Sequence, residues 1–230
     1  MRIAVSGTYS SGKTTTSIAL SHLTGIPRTH AKTMREILPE VVPGRRLEEC
    51  TIPELFQLGM IRYSERAVHE SHLPGAFISD GSALHEWVYG KIRTHVGIHP
   101  TDDVPGAEAS DETAFFDQVI DAIGAVARRH AVRSYDVFIH LPIEFDLVSD
   151  GHRPVSERFR RLSDELLLRS LTDLSIPHHI VSGSIVQRLE TIVDVLSLPQ
   201  VLSVAEALQR TERDMSTHDV SDELSRGAVR

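Results

Sequence analysis

The sequence predicts an α/β fold in which helices cover both faces of a parallel sheet. Three observations carry that expectation. Short apolar runs of strand length alternate with segments whose apolar residues recur at helical spacing, as in a doubly wound sheet. The first apolar run, Arg2-Ile3-Ala4-Val5-Ser6, leads through Gly7-Thr8-Tyr9-Ser10-Ser11-Gly12-Lys13-Thr14-Thr15 into the helical pattern of residues 16–23. A strand, a Gly-x-x-x-x-Gly-Lys-Thr turn and a helix in that order make a P-loop, so the fold class is that of a single-domain P-loop NTPase. Finally, the chain has 230 residues, 40% of them hydrophobic, which suits one α/β domain with a sizeable core.

The residue types of the turn fit phosphate binding. Gly7 and Gly12 let the backbone turn tightly, so that successive N–H groups face one anion. The helix starting near Gly12 adds its positive dipole end. The expected cradle is Gly7, Thr8, Ser10, Ser11, Gly12, Lys13, Thr14 and Thr15. Lys13 reaches the β- and γ-phosphates of a nucleoside triphosphate, and the Thr14 hydroxyl is a Mg²⁺ ligand. ATP and Mg²⁺ are therefore the expected cofactors.

After the first helix, Thr24-Gly25-Ile26-Pro27 is a stop and turn. Arg28-Thr29-His30-Ala31 reads as a short strand, and residues 32–38 as a charged segment ending before Pro39. Thr51-Ile52-Pro53-Glu54 is a helix start with a capping box and an early Pro, so a helix is expected over 51–73. Ala76-Phe77-Ile78-Ser79-Asp80 is then an apolar strand ending in a carboxylate, and ligands of doubly wound sheets bind at such ends. Asp80 thus serves either in the Mg²⁺ shell or as the base for an acceptor hydroxyl, unless it or Ser82 merely caps the helix that follows, 83–95. Trp87 and Tyr89 on that helix belong to a pocket or to the core.

Residues 96–110 are rich in Gly, Pro, Asp and His and read as a flexible loop or substrate-side flap. A helix capped by Ser110 follows to about residue 130, and then the strand 137–141, whose His140 reads as a satisfied core histidine. Asp150-Gly151-His152-Arg153-Pro154 leads into a helix whose first turns carry Arg158, Arg160 and Arg161. Cations there oppose the helix dipole. They suit polyphosphate clamping, or else form an exposed face paired with Glu157, Asp164 and Glu165. Arg153, in the turn, is the preferred clamp and charge stabiliser. A last strand at 176–181, a closing helix at 184–196 and a further helix from 201 to about 215 complete the chain, with a polar, frayed tail expected beyond.

Composition narrows the function. A net charge of −8 argues against general nucleic-acid binding. Cys50 stands alone, which excludes an intrachain disulfide framework and a cysteine zinc site. No apolar run approaches the roughly 20 residues that span a bilayer, and the first strand starts at Met1, so neither a membrane nor a targeting segment is expected and the cytoplasm is the expected compartment. The chain contains no Asn, so the Asn-Lys-x-Asp guanine-reading motif is missing.

These parts together resemble the P-loop kinase superfamily, in particular the nucleoside-kinase-like ATP-binding proteins of AAA type that include the bacterial nicotinamide riboside kinase domain. The residues that carry the likeness, from residue 1 to about 196, are the P-loop, Met34-Arg35-Glu36, Asp80, the 150–154 turn, and Val181-Ser182-Gly183 with Arg188. The resemblance implies a kinase-like domain over 1–198 with a lid at about 145–162, followed by a C-terminal helix and tail over 199–230. It implies that Arg153 and Arg158 clamp the ATP phosphates, that Ser182 and Gly183 hold adenine, and that Lys32, Arg35, Glu36 and Asp80 face the acceptor. The chain departs from the family pattern at Gly81, where an Arg is common, and at Lys32, where a Glu is common. The expected function is transfer of the γ-phosphoryl group of ATP·Mg to a hydroxyl of a small metabolite, nucleoside-like or anionic, by Lys13, Asp80 and Arg153. A nucleotide-hydrolysing regulatory ATPase or GTPase switch is the alternative. The expected partners are ATP and that acceptor, with monomer and homodimer both allowed.

Overall fold

Strand β1 (Arg2–Ser6) is central because it is apolar toward both faces: Ile3, Ala4 and Val5 are fully buried. The computed structural model describes residues 1–29, 31–73, 75–100, 110–146 and 156–227. Around β1 stand β2 (Arg28–Thr29), β3 (Phe77–Asp80), β4 (Val137–His140) and β5 (His178–Ile180), in the order β2-β3-β1-β4-β5. All four pairings are parallel. The register sets Val5 beside Asp80 and Ser6 beside His140, so three strands end at one rim, just where the P-loop leaves the sheet. The expected order of strands is the order observed, but residues 34–41, read from the sequence only as a charged segment, form a helix of their own, because Thr33 and Glu36 make a capping box and Ile37 and Leu38 are buried.

The period of two along the strands divides the core. Ile3, Val5, Ile78, Val137 and Ile139 face one side, under α1 (Lys13–Thr24), α7 (Ile185–Leu196) and α8 (Val204–Gly227). Ala4, Phe77 and Phe138 face the other, under α3 (Ile52–Ser71), α4 (Ala83–Val96), α5 (Asp111–Ser134) and α6 (Glu157–Asp173). A smaller third core joins Ile37 and Leu38 of α2 (Met34–Val41) to Cys50, Leu55 and Leu58.

Most boundaries follow the sequence signals. Thr51 and Glu54 form the capping box of α3, and Ser110, Ser156 and Ser184 each accept a backbone N–H at the start of α5, α6 and α7. Two boundaries differ: α8 runs to Gly227 instead of ending near residue 215 with a frayed tail, and the segment before Pro39 does not stop there. Helix α2 runs through Pro39 rather than ending before it. The helix is only eight residues long, so Pro39 removes a single internal hydrogen bond, and the burial of Ile37 and Leu38 holds the turn in place.

Helices α4 and α5 approach closely at two glycines. A Cβ on Gly124 would meet the Trp87 indole nitrogen at 2.3 Å, and one on Gly90 would meet Ile120 Cδ1 at 2.9 Å. Gly124→Ala therefore pits a helix-propensity gain of about 1 kcal/mol against overpacking of about 1–3 kcal/mol against a buried ring. The clash wins because Trp87 is itself 4% exposed and boxed in, with Arg128 over its ring at 4.7 Å. Urea unfolding of Gly124→Ala should show a lower midpoint than wild type; a raised midpoint would mean that the indole can step aside.

Candidate functional site

The turn after β1 is shaped by contacts to its own carbonyls. Gly7 leaves the strand at φ +135°, and a Cβ there would stand 2.5 Å from the Leu141 carbonyl oxygen and 2.6 Å from Ser11 Oγ. Only glycine fits. Each nearby carbonyl then receives a side-chain donor. Gly7 O accepts from His85 Nε2 at 3.1 Å and from the Tyr89 hydroxyl at 3.5 Å. Thr8 O accepts from Ser11 Oγ at 2.9 Å and from Lys13 Nζ at 2.5 Å. Tyr9 O accepts from Arg160 Nε at 3.0 Å, and Ser11 O from Arg188 Nη1 at 2.7 Å. In a peptide the N–H points opposite to the carbonyl, so fixing these carbonyls outward frees the amides to converge on an anion. Gly12, at φ +88°, is the N-cap from which α1 starts with Lys13.

Asp80 ends β3 beside this turn. Its Oδ2 lies 2.7 Å from Arg28 Nη2, and Arg28 Nε in turn donates to Ser17 Oγ at 2.9 Å. The Thr14 hydroxyl also hydrogen-bonds to the Asp80 carboxylate. Burial pushes the Asp80 carboxyl up, but the Arg28 guanidinium and the Lys13 ammonium outweigh it and hold the group below the usual carboxylate range. The helix cap is supplied by Ser82 instead. Thr14 and Asp80 together offer hard oxygen donors next to a lysine, the donor chemistry that Mg²⁺ takes.

A second carboxylate, Glu86, lies one turn into α4 and is buried. Its Oε2 is 3.1 Å from Arg62 Nη1 and its Oε1 is 3.7 Å from Arg66 Nη2. Fully buried Arg66 also donates to Ser79 Oγ at 3.0 Å and to the Asp80 carbonyl at 2.9 Å, so it ties the strand end to Glu86. Glu86 lines a cavity of about 480 Å³ between α3, α4 and α5. Its walls are Tyr9, Phe56, Tyr63, Tyr89 and Phe116, with aliphatic neighbours such as Leu55, Ile98 and Ile120. The Tyr9 and Tyr89 rings stack at 4.7 Å and 22°. Tyr9 therefore belongs both to the turn and to the cavity.

The expected site residues fall as follows. Lys13, Thr14 and Asp80 come together with the glycines of the turn. Thr8 is buried in it, and Ser10 holds φ +58°. Thr15 turns toward α8, its Oγ1 3.6 Å from Met215 Sδ. Lys32 is exposed, 3.5 Å from Glu40, and does not line the cavity. Glu36 is the N3 residue of the α2 capping box, accepting from Thr33 N at 2.5 Å, and Arg35 stands on the first turn of α2. Met34 of the same segment does line the cavity. Gly183 N donates to the Glu144 carboxylate at 2.9 and 3.0 Å, and Ser182 is exposed. Arg158 is exposed, whereas Arg160 is fully buried against Tyr9 O and Phe145 O. Arg153 and the rest of 147–155 lie outside the described residues, as do 101–109 of the expected flap.

Five residues of the site were not singled out by sequence reasoning: Arg28, Arg62, Arg66, His85 and Glu86. A signal existed for His85, since Ser82-x-x-His85 has capping-box spacing with His in the Glu position. Nothing in the local pattern marks Arg66 or Glu86, which read as ordinary polar helix positions.

The fold and the turn define the class: a P-loop protein whose parallel five-stranded sheet has the fold of P-loop kinases. The chain belongs to the AAA domain family, whose model matches residues 2–188. A search of curated proteins returned no match. Among solved structures, deoxyadenosine kinase from M. mycoides is similar, at 15% identity and a TM-score of 0.57, over 86% of this chain and 99% of that one. NadR in complex with NR is 19% identical, with a TM-score of 0.57 over 85% of this chain; this chain spans only about half, 50%, of NadR. Thymidylate kinase from Candida albicans is 14% identical, with a TM-score of 0.54 over 85% of this chain and 90% of that one.

Buried His85 gives the turn a pH limit. Its Nδ1 accepts from Ser82 N at 2.9 Å, which leaves the proton on Nε2 for Gly7 O. Burial first, then the charges of Lys13 and Arg66, hold the imidazole well below its ordinary value of 6.5. The unfolded chain thus binds a proton that the folded one refuses. The stability is complete above about pH 6.5 and falls as pH drops below it, by up to about 1.4 kcal/mol per pH unit until the folded imidazole titrates. His85→Gln keeps the capping spacing and removes the titration, so its stability should vary less between pH 6.5 and 5 than that of wild type in matched urea melts. Equal slopes would assign the acid limb to other groups.

Proposed function

We propose that this protein is an ATP-dependent small-molecule kinase that transfers the γ-phosphoryl group of ATP to a hydroxyl of an acceptor bound in the cavity between α3, α4 and α5. The observation that carries the reading is the sharing of Tyr9: one residue of the phosphate-binding turn is also a wall of a largely apolar cavity with several aromatic walls. A donor and an acceptor in those two places have their reacting groups side by side, which is most of what phosphoryl transfer requires. The structurally similar proteins point the same way: the deoxyadenosine kinase structure holds dCMP as a product, and the NadR structure holds NR.

In this reading the turn cradles the triphosphate, and Lys13 stabilises charge on the moving phosphoryl group. Thr14 and Asp80 would hold Mg²⁺, which would supply positive charge to neutralise the phosphates. The depressed pKa of Asp80 suits a permanently charged metal-side carboxylate better than a base. Glu86, within the acceptor cavity, accepts a hydrogen bond from the acceptor hydroxyl and takes its proton as the oxygen is phosphorylated. Arg153, with Arg158, serves as the lid clamp; Ser182 and Gly183 border adenine; and Lys32, Arg35 and Glu36 form the outer rim on the acceptor side. The reaction would run in the cytoplasm.

The direct test is a screen of nucleosides, sugars, hydroxy amino acids and related metabolites for an ATP-dependent mass gain of one phosphoryl group. Lys13→Ala should lose on the order of 10²-fold or more in turnover, as expected for loss of one preorganised donor. ATP hydrolysis that no acceptor stimulates, at a rate Lys13→Ala does not lower, would sink the kinase reading.

The two carboxylates should separate kinetically. Asp80→Asn should shift the Mg²⁺ requirement upward, with part of the rate restored by excess Mg²⁺. Glu86→Gln should lower kcat and raise the acceptor KM while leaving the ATP KM near its normal value. Interchanged phenotypes would exchange the two roles.

A further inference from the structure

Arg93 lines the cavity from the third turn of α4. One guanidinium nitrogen, Nη1, donates to the Ile98 carbonyl, and the group also hydrogen-bonds to the Tyr9 side chain. Its Cζ sits 5.1 Å from the centroid of the Phe159 ring. A guanidinium carries five N–H donors, and these two partners leave donors over.

No carboxylate among the described residues pairs with this cation. The two that line the cavity are engaged or remote: Glu86 is shared by Arg62 and Arg66, and Glu112 is exposed on the first turn of α5. Four other part-buried cations near the site have acidic partners. Arg28 has Asp80, Arg188 has Glu144, Arg160 has Glu157, and Lys91 has Asp117. A buried charge without a counter-ion is costly, and a guanidinium does not shed its proton to escape the cost. Burial does pull the Arg93 pKa below its ordinary value. Such a charge persists where a ligand supplies the opposite sign.

We propose that Arg93 binds an anionic group, a carboxylate or a phosphate, on the acceptor that occupies the aromatic cavity. This rests on the kinase reading for the word acceptor, but the binding site itself does not. The rings of Tyr9, Tyr89 and Phe116 hold the apolar or aromatic body of the ligand, and Arg93 fixes its charged end next to Tyr9 of the phosphate-binding turn. The ligand class is therefore a small anion with a flat or apolar body.

The test uses binding rather than turnover, with the turn saturated by ADP and Mg²⁺ so that it cannot capture the probes. Benzoate, phenyl phosphate and neutral phenol are titrated into wild type, Arg93→Gln and Arg93→Lys and followed by ligand-observed NMR. Wild type should prefer at least one of the two anions over phenol by tenfold or more. Arg93→Gln should bind phenol as before, which shows an intact cavity, and lose the preference to within about twofold. Arg93→Lys should keep a preference of at least severalfold. A preference for benzoate over phenyl phosphate, or the reverse, separates carboxylate from phosphate. Equal binding of charged and neutral probes, failure of all three to bind, or a preference that survives in Arg93→Gln overturns the proposal. If the anion preference holds but no acceptor in the metabolite screen is phosphorylated, it is the kinase reading that fails and the anion site that stands.

Discussion

The site depends on the carbonyls of the first turn being held from outside. A peptide loop around an anion has a problem of sign, because every amide that attracts the anion comes with a carbonyl that repels it. Here Gly7, Thr8, Tyr9 and Ser11 each give their carbonyl to a side-chain donor, and four of those donors come from distant helices: His85 and Tyr89 on α4, Arg160 on α6 and Arg188 on α7. Hydrogen bonds from charged donors contribute about 1.5–3 kcal/mol each, and removing a donor strands a buried carbonyl at comparable cost. The same arginines hold the segment after β4, Arg160 through Phe145 O at 3.0 Å and Arg188 through Glu144 at 2.6 Å. Glu144 then receives the Gly183 amide, so the ends of β1, β4 and β5 form one hydrogen-bonded unit. Packing of the outer helices is thereby converted into precision at the turn.

The two carboxylates near the turn are separated by arginines that do different things. Arg28 reaches Asp80 from β2 and keeps it charged. Arg66 reaches the backbone of Asp80 and the side chain of Glu86 from α3. Two carboxylates so close to one turn would otherwise repel each other, and charges sheltered from water interact several times more strongly than in it. With Arg28 on Asp80, and Arg62 and Arg66 on Glu86, each carboxylate is held to its own side. The stacked pair of Tyr9 and Tyr89 excludes water between them.

The fold was legible because its signals are local. Alternation of apolar runs, the capping box at Thr51, the serine caps of α5 and α7 and the turn of residues 7–14 each read from a few neighbouring residues. Pro39 misled because a breaker signal ignores the anchoring of Ile37 and Leu38 in a small core. The site was legible only where it is contiguous. Lys13 and Thr14 sit in a motif, and Asp80 sits at a strand end. Arg66, Glu86 and Arg93 face inward from helices whose amphipathic pattern counts them as polar, and their meaning arises from contacts such as Arg66 to Ser79 and Arg93 to Tyr9 that join distant parts of the chain. Arg160 shows the same limit. In sequence it is one of three arginines on a helix start, and only the fold distinguishes it, buried against Tyr9, from exposed Arg158 and Arg161.

Net charge says least about the site. The chain carries −8, yet the interior around the turn and the cavity is populated by arginines, several of them laid on aromatic faces: Arg93 on Phe159, Arg128 on Trp87 and Arg188 on Phe145. Guanidinium is weakly hydrated and flat, so it enters such places at lower cost than an ammonium, which is a physical reason for arginine there. The surface field that the excess acids create is screened within about 10 Å at ordinary ionic strength. An anionic ligand is thus weakly repelled only on the way in, and attraction begins where solvent ends. Affinity is governed by the few buried cations that can still offer a donor, and the sum of charges over the sequence, which counts mostly solvated residues, carries no information about them.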